Sequence, residues 1–238
     1  MVDEEHKIPL CFGNNMKHLI QIAGVRDRQE AEMLLACGLD WLGFPLRLTV
    51  HKEDLLEAEA AQIIKSLRPP HEGVLITYLN KADEIVTLCH SLGTGKVQLH
   101  GEITLAQLQA VKVLDSSLFV VKSLIVRQNN QSELEAEVRS LSPHVDAFIT
   151  DTYDPASGAC GATGKTHDWQ VSRRLVEISP RPVILAGGLR PANVARAISE
   201  VWPAAVDAHT GVEGLDGRKD VQLVRAFVEQ ARAAFPHH

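Results

Sequence analysis

The chain lacks an apolar run long enough to cross a bilayer, a CxxC pair and an excess of basic residues. A membrane-spanning helix needs about 20 apolar residues, so we expect no membrane contact. The four cysteines lie far apart, which argues against a disulfide framework or a zinc site and favours reduced thiols in the cytoplasm. A formal net charge of −6 argues against a partner nucleic acid. The acidic N-terminus also lacks the basic start of a secretion signal.

Short apolar segments alternate with helical patterns along the 238 residues. The eight segments are 19–23, 41–44, 73–78, 96–100, 118–122, 146–151, 183–186 and 205–208. Strict alternation favours parallel strands joined by right-handed crossovers. Eight units in this length predict an α/β protein with a single closed (β/α)8 TIM barrel and not an open sheet. We expect residues 1–17 to form an N-terminal extension and residues 18–238 to form the barrel.

The last two predicted strands each end in a glycine-bearing turn. The seventh runs into Gly187 and Gly188, and Pro191 suits the first turn of the following helix. The eighth strand leads to Thr210 and Gly211. Glycine allows a ligand to approach backbone N–H groups, and a helix start favours an anion. We therefore predict a phosphate site here, in preference to two ordinary strand-to-helix turns.

Ionisable side chains end several of the other predicted strands. His100 ends strand four, Lys122 strand five and Asp151 strand six, while Asp207 and His209 lie at the end of strand eight. Active sites of such barrels lie at the carboxyl ends of the strands. A carboxylate that ends an apolar strand is poorly suited to the core. We therefore favour a catalytic role for Asp151 over a helix cap or a loop carboxylate.

Five blocks of sequence lie in the predicted strands or in the segments that follow them: WLGF at 41–44, VQLHG at 97–101, GKTHDW at 164–169, ILAGGL at 184–189, and Val206-Asp207 followed by GVE at 211–213. With these blocks the chain resembles phosphoribosylanthranilate isomerase, an enzyme of tryptophan biosynthesis, from about Leu19 to Phe227. The resemblance implies a barrel that binds a phosphorylated ribosyl amine, with the phosphate at the last two strand ends. It implies an Amadori rearrangement, an aldose–ketose isomerisation that uses no cofactor and no metal.

The resemblance also assigns roles to individual residues. Asp151 matches the general acid that protonates the ring oxygen as the sugar opens. Asp207 matches an aspartate that binds the sugar or the phosphate loop. His100 and Lys122 match residues with structural and electrostatic roles, although His100 is also a candidate base and Lys122 a candidate for a Schiff base. Arg47 matches the family arginine that holds the anthranilate carboxylate, although the rest of this loop differs from the family pattern.

The general base is where the chain departs from the family pattern. The family has Lys-Ile-Cys at the end of strand one, and this chain has Gln21-Ile22-Ala23. Alanine cannot accept a proton, and losing a positioned base costs about 10²–10⁴-fold in rate. Cys160, in the loop after Asp151, is a weak candidate to replace it. His209 stands where the family has a small hydroxyl residue, and it is a second candidate base or a loop histidine.

Three functions remain open at this point. The first is an isomerase of this family with Asp151 as acid and an altered base. The second is a lyase or aldolase that acts on a phosphorylated substrate through Lys122 or Asp151. The third is a non-catalytic relative that binds its ligand at the phosphate site and has lost the base. An engineered substitution is a separate explanation of Ala23. In each case the partner is a phosphorylated small molecule, and we expect a monomer or a homodimer.

Overall fold

A computed structural model of the chain describes residues 16, 18–48, 53–152 and 166–236. In this part of the chain, eight parallel strands close into a barrel in sequence order. The strands are β1 (Leu19–Ala23), β2 (Trp41–Pro45), β3 (Glu72–Thr77), β4 (Lys96–Leu99), β5 (Phe119–Val126), β6 (Ala147–Thr152), β7 (Val183–Leu185) and β8 (Ala205–Ala208). The predicted (β/α)8 TIM barrel is confirmed.

A helix follows each strand and packs on the outside of the barrel. The helices are α1 (Arg28–Ala36), α2 (Glu57–Ser66), α3 (Ala82–Leu92), α4 (Leu105–Leu114), α5 (Gln131–Leu141), α6 (Trp169–Ile178), α7 (Pro191–Val201) and α8 (Val221–Ala234). Short 3₁₀ helices occupy Ser142–His144 and Thr210–Val212. Within the described ranges, none of these helices is both long enough and apolar enough to cross a membrane.

Local sequence explains where several helices begin and end. Asp27 precedes α1 and caps it by accepting a hydrogen bond from the Glu30 backbone N–H at 2.8 Å. Thr104 and Asp168 cap α4 and α6 in the same way. Gly93 ends α3 with φ of 76°, a left-handed conformation that glycine adopts without strain.

Alternate residues of each strand face the inside of the barrel, and the inside has two different halves. The half at the amino ends of the strands is mainly apolar and includes Met16, Trp41 and Phe119. There the Lys96 ammonium lies 4.9 Å from the Trp41 ring centre and 4.7 Å from that of Phe119. The half at the carboxyl ends is mainly polar. Its buried side chains are Gln21, Gln98, His100, Ser123, Asp151 and Asp207.

Two predictions need comment. Strand five does not end at Lys122, because β5 continues to Val126. Residues 1–15 and 17 of the predicted extension lie outside the described residues, so the boundary at 17 stays a prediction. Met16, from that stretch, is only 4% exposed and packs in the apolar half of the barrel.

Candidate active site

A small cavity opens at the carboxyl ends of β6, β7 and β8. Its lining combines two carboxylates with both glycine-bearing turns: Asp151, Ala186, Gly187, Gly188, Leu189, Asp207, Ala208, His209, Thr210 and Gly211. The fold therefore brings together residues from three strands that the sequence analysis had selected independently. This is the arrangement expected of a barrel active site.

The two glycine turns touch each other directly. A Cβ atom added to Gly211 would lie 1.9 Å from the carbonyl oxygen of Leu189, so only glycine fits at this position. Gly187 and Gly188 have φ of 94° and 64°, which side-chain-bearing residues rarely adopt. Asn193 of α7 donates a hydrogen bond to the Gly188 carbonyl at 3.0 Å and fixes the first turn. The two turns are thus so close that a single added carbon atom does not fit between them.

Asp151 lies at the end of β6 and faces the inside of the barrel. Its side chain accepts a hydrogen bond from the Thr152 backbone N–H at 2.7 Å. Burial raises the pKa of Asp151, although the charge of His100 and the Thr152 N–H act in the opposite direction. A buried carboxyl of this kind holds its proton to a higher pH than a free one and suits a general acid.

Asp207 lies on β8 and is 8% exposed. Burial and the charge of Asp151 raise its pKa well above the ordinary value, while a hydrogen bond from Gln21 and the charge of Lys219 lower it. Among the described residues, no group donates a hydrogen bond to its Oδ1 atom. A carboxyl whose proton affinity is raised by burial and by a second carboxyl is typical of acid–base sites.

A chain of polar side chains crosses the inside of the barrel beneath these carboxyls. Gln21 Nε2 donates to Gln98 Oε1 at 3.2 Å, and Gln98 Nε2 donates to Ser123 Oγ at 3.5 Å. Ser123 Oγ in turn lies 3.0 Å from His100 Nδ1. His100 is therefore fixed by a hydroxyl below it and by the Tyr78 ring, whose centre is 5.0 Å away. Sequence reasoning missed Gln98 and Ser123, although both lie on the inward face of their strands.

Ala23 and His209 occupy neighbouring positions at the end of β1. Ala23 is 5% exposed and faces the barrel interior beside Gly43. The imidazole of His209 covers the next residue, because a Cβ added to Gly24 would lie 2.2 Å from His209 Nε2. The same nitrogen lies 3.5 Å from Glu213 Oε1. The structure thus places His209 beside the position that lacks the cysteine.

Two other predicted site residues lie outside this group. The Lys122 side chain points away from the barrel interior, and its Nζ atom lies 3.8 Å from Glu137 Oε1 on α5. Burial lowers the pKa of Lys122, but its amine has no access to the cavity from the helix layer. Arg47 is half exposed and donates from Nε to Glu57 Oε1 at 2.8 Å. Neither residue lines the cavity.

A second histidine, partly buried, lies behind the turn that carries Gly187, because a Cβ added to Gly187 would lie 3.0 Å from His167 Nδ1. His167 Nδ1 lies 2.9 Å from Thr152 Oγ1, and His167 Nε2 lies 2.6 Å from Ser172 Oγ. Burial lowers the pKa of His167 to about 4, so the ring is neutral near neutral pH.

The loop that carries Cys160 lies outside the described residues. Across the described part of the chain, no three His, Cys, Asp or Glu side chains are grouped to hold a metal ion, and the absence of metal and cofactor stays a prediction.

Fold and cavity together define a (β/α)8-barrel enzyme whose ionisable side chains gather at the carboxyl ends of its last strands. The sequence profile of N-(5′-phosphoribosyl)anthranilate (PRA) isomerase matches residues 21–230. An N-(5′-phosphoribosyl)anthranilate isomerase 2 from Methanosarcina mazei is 36% identical over 217 residues, covering 91% of this chain and 95% of the relative. The chain belongs to the PRA isomerase family.

Solved structures agree with this assignment. Phosphoribosylanthranilate isomerase from Thermotoga maritima aligns with a TM-score of 0.77 and 26% identity, over 90% of this chain and 98% of that one. A second structure, described as monomers made from the dimeric enzyme of the same organism, aligns with a TM-score of 0.73 and 25% identity over the same shares. The expected resemblance and the expected fold are both confirmed.

Proposed function

We propose that this protein isomerises phosphoribosylanthranilate by an Amadori rearrangement, the step of tryptophan biosynthesis that moves the carbonyl of the sugar from C1 to C2. Family membership across about nine-tenths of the chain supports the reaction. The observation that carries the proposal is the single cavity in which two buried carboxyls meet both glycine turns. The protein is then an intramolecular oxidoreductase that needs no external oxidant.

The phosphate of the substrate binds at Gly187, Gly188, Thr210 and Gly211. Backbone N–H groups of tight glycine turns form concave sites for anions, and the start of α7 adds a partial positive charge. The contact between Gly211 and Leu189 supports this role, because it fixes the spacing of the two turns. A phosphate held in this way anchors the sugar with its ring beneath Asp151.

Asp151 acts as the general acid. It donates its proton to the ring oxygen as the C1–O bond breaks, and the lone pair of the anilino nitrogen forms an iminium ion. Its raised pKa supports this role, because the carboxyl must arrive protonated. A base must then remove the proton from C2. With alanine at position 23, the ionisable residues that line the cavity besides Asp151 are His209 and Asp207, while His100 is held by Ser123 as a positioning group.

The placement of Lys122 argues against the lyase or aldolase alternative. A Schiff base needs an amine in the cavity, and the Lys122 amine contacts Glu137 in the helix layer. Arg47 reaches a substrate carboxylate only if it leaves Glu57, so we omit it from the proposed site. We further propose that the protein acts in the cytoplasm as a monomer or a homodimer, without nucleic acid, metal or cofactor.

Turnover of phosphoribosylanthranilate, followed by the loss of its fluorescence, tests the proposal. We expect measurable activity in the wild type and a loss of about 10²–10⁴-fold in Asp151→Asn. Asp83→Asn, an exposed aspartate in the first turn of α3, is the matched control and should retain full activity. A wild type that binds inorganic phosphate but turns over no substrate would identify an inactive relative and refute the proposal.

A further inference from the structure

Asp207 carries one of the two buried carboxyls that line the cavity. In the described part of the protein, Oδ1 of this carboxyl is buried and has no hydrogen-bond donor. An unpaired buried oxygen costs free energy and is rare in a folded protein. Asp207 also lines the cavity together with Asp151. Its oxygen is therefore available to a group that enters this cavity.

Gln21 holds Asp207 without neutralising it. The two residues are register partners on β1 and β8. The Gln21 amide is itself fixed by its bond to Gln98, and it also donates a hydrogen bond to Asp207. A neutral amide orients a carboxylate, whereas an ammonium at the same place would form an ion pair and reduce its basicity. Glutamine at position 21 thus leaves Asp207 basic.

Two charged residues act on Asp207, one from β6 and one from the segment before α8. Asp151 faces it from β6 and raises its pKa, and Lys219, which precedes α8, lowers it. Lys219 is already bound by Glu213 Oε1 at 2.7 Å and by the His209 carbonyl at 3.2 Å. Between them, β7 and the turn that follows line the cavity with Ala186, Gly187, Gly188 and Leu189, none of which is charged. The charge of Asp151 therefore opposes a second negative charge on Asp207, so a proton is bound more readily beside Asp151 than on a separate carboxyl.

We infer that Asp207 is the general base of the isomerisation and that Gln21 is the positioning residue that keeps it in this role. This inference rests on the proposed function. Asp207 competes for the role with His209, but the imidazole is held between Gly24 and Glu213. The small side chain of Ala23, on the same face of β1 as Gln21, leaves room for C2 of the substrate above the carboxylate.

The proton transfers then balance. Asp151 gives its proton to the ring oxygen, and Asp207 removes the proton from C2 of the iminium ion. The electron pair of that C–H bond forms the C1=C2 double bond, and the π pair of C=N returns to nitrogen. Asp207 delivers its proton to C1, while the 2-hydroxyl proton returns to Asp151. The product is the ketone, and both carboxyls regain their initial protonation states.

The first test compares Asp207→Asn with His209→Asn in the fluorescence assay. If Asp207 is the base, Asp207→Asn lowers kcat by at least about 10²-fold, and His209→Asn costs less than tenfold. Affinity for inorganic phosphate and the melting temperature should stay near wild type in Asp207→Asn. The reverse ranking overturns the inference in favour of His209. An inactive wild type instead overturns the proposed function, so the two failures are distinguishable.

Chemical rescue provides a second readout that does not depend on the asparagine variant folding well. Formate added to Asp207→Ala should restore part of the lost turnover, because a small carboxylate can occupy the vacated position and accept the proton. Formate should have no effect on Asp151→Asn or on the wild type. An active wild type with a folded Asp207→Ala variant that formate fails to rescue contradicts a proton-accepting role.

Gln21 is tested by a matched pair of variants. The low-pH limb of kcat/KM against pH reports the protonation of the base in the free enzyme. Gln21→Lys places an ammonium beside Asp207, so the limb should move to lower pH while kcat falls. Gln21→Met removes the donor without adding charge, and the limb should move to higher pH. Two variants whose limbs stay at the wild-type position, or move together, overturn the role of Gln21.

Discussion

Replacing Gly211 by alanine should separate the two glycine turns and weaken phosphate binding. The added Cβ would lie 1.9 Å from the Leu189 carbonyl oxygen, where real Cβ atoms stay at least 3.0 Å away, so one turn must move by about 1 Å. The obstacle is backbone and not a flexible side chain, so it cannot rotate aside. A misplacement of about 1 Å costs about 10²-fold in a catalytic site.

We expect this loss to appear mainly in KM for the phosphorylated substrate and in the affinity for inorganic phosphate, with kcat changed less. Steady-state kinetics and calorimetric titration with phosphate measure the two effects. Gly95→Ala is the matched control, because Gly95 precedes β4 and an added Cβ there meets nothing within 4 Å. A Gly211→Ala protein with wild-type KM and phosphate affinity would falsify the placement of the phosphate.

Two further predictions concern ionisable groups outside the cavity. Lys122→Met should keep kcat/KM within about threefold, because the Lys122 amine contacts Glu137 and not the substrate. Lys219→Met should lose more, because Lys219 binds the His209 carbonyl and Glu213. Steady-state kinetics measure both, and a large loss in Lys122→Met would show that this lysine acts in the active site. The folded pKa of His167 is about 4, against an ordinary value of 6.5 in the unfolded chain. The unfolded state therefore binds its proton first, and stability should fall as pH drops from 6.5 towards 4. Urea unfolding of His167→Gln should show a smaller fall over that range than the wild type, and equal falls would refute the assignment.

The sequence predicted the barrel well because its signals are local. Short apolar strands and cap residues such as Asp27 and Gly93 act within a few positions of themselves. The two glycine turns were also predicted from the sequence, because glycine at a strand end is typical of a tight turn whose backbone a ligand can approach. The prediction that Asp151 and Asp207 converge needed only the rule that parallel strands end on one face.

The sequence did not predict contacts between residues far apart in the chain, or which face of a strand a side chain takes. Lys122 was assigned to a strand end, but β5 runs four residues further. Val121 and Ser123 take the inward positions, so the lysine between them must face α5. Gln21 and Gln98 are 77 positions apart, and only closure of the barrel brings their amides together. Hydrogen bonds of this kind leave no periodic trace in a single sequence.

One half of the barrel interior provides apolar packing, and the other half carries the polar side chains of the cavity. The packed rings around Lys96, with Met16 beneath them, lie at one end and take no part in the cavity. The polar side chains at the other end add little apolar packing, so exchanging one for another leaves the packed end intact. Alanine in place of the family's cysteine at position 23 therefore leaves the packed end of the barrel unchanged. Such a division makes the catalytic end of the protein open to evolutionary change at little risk to folding.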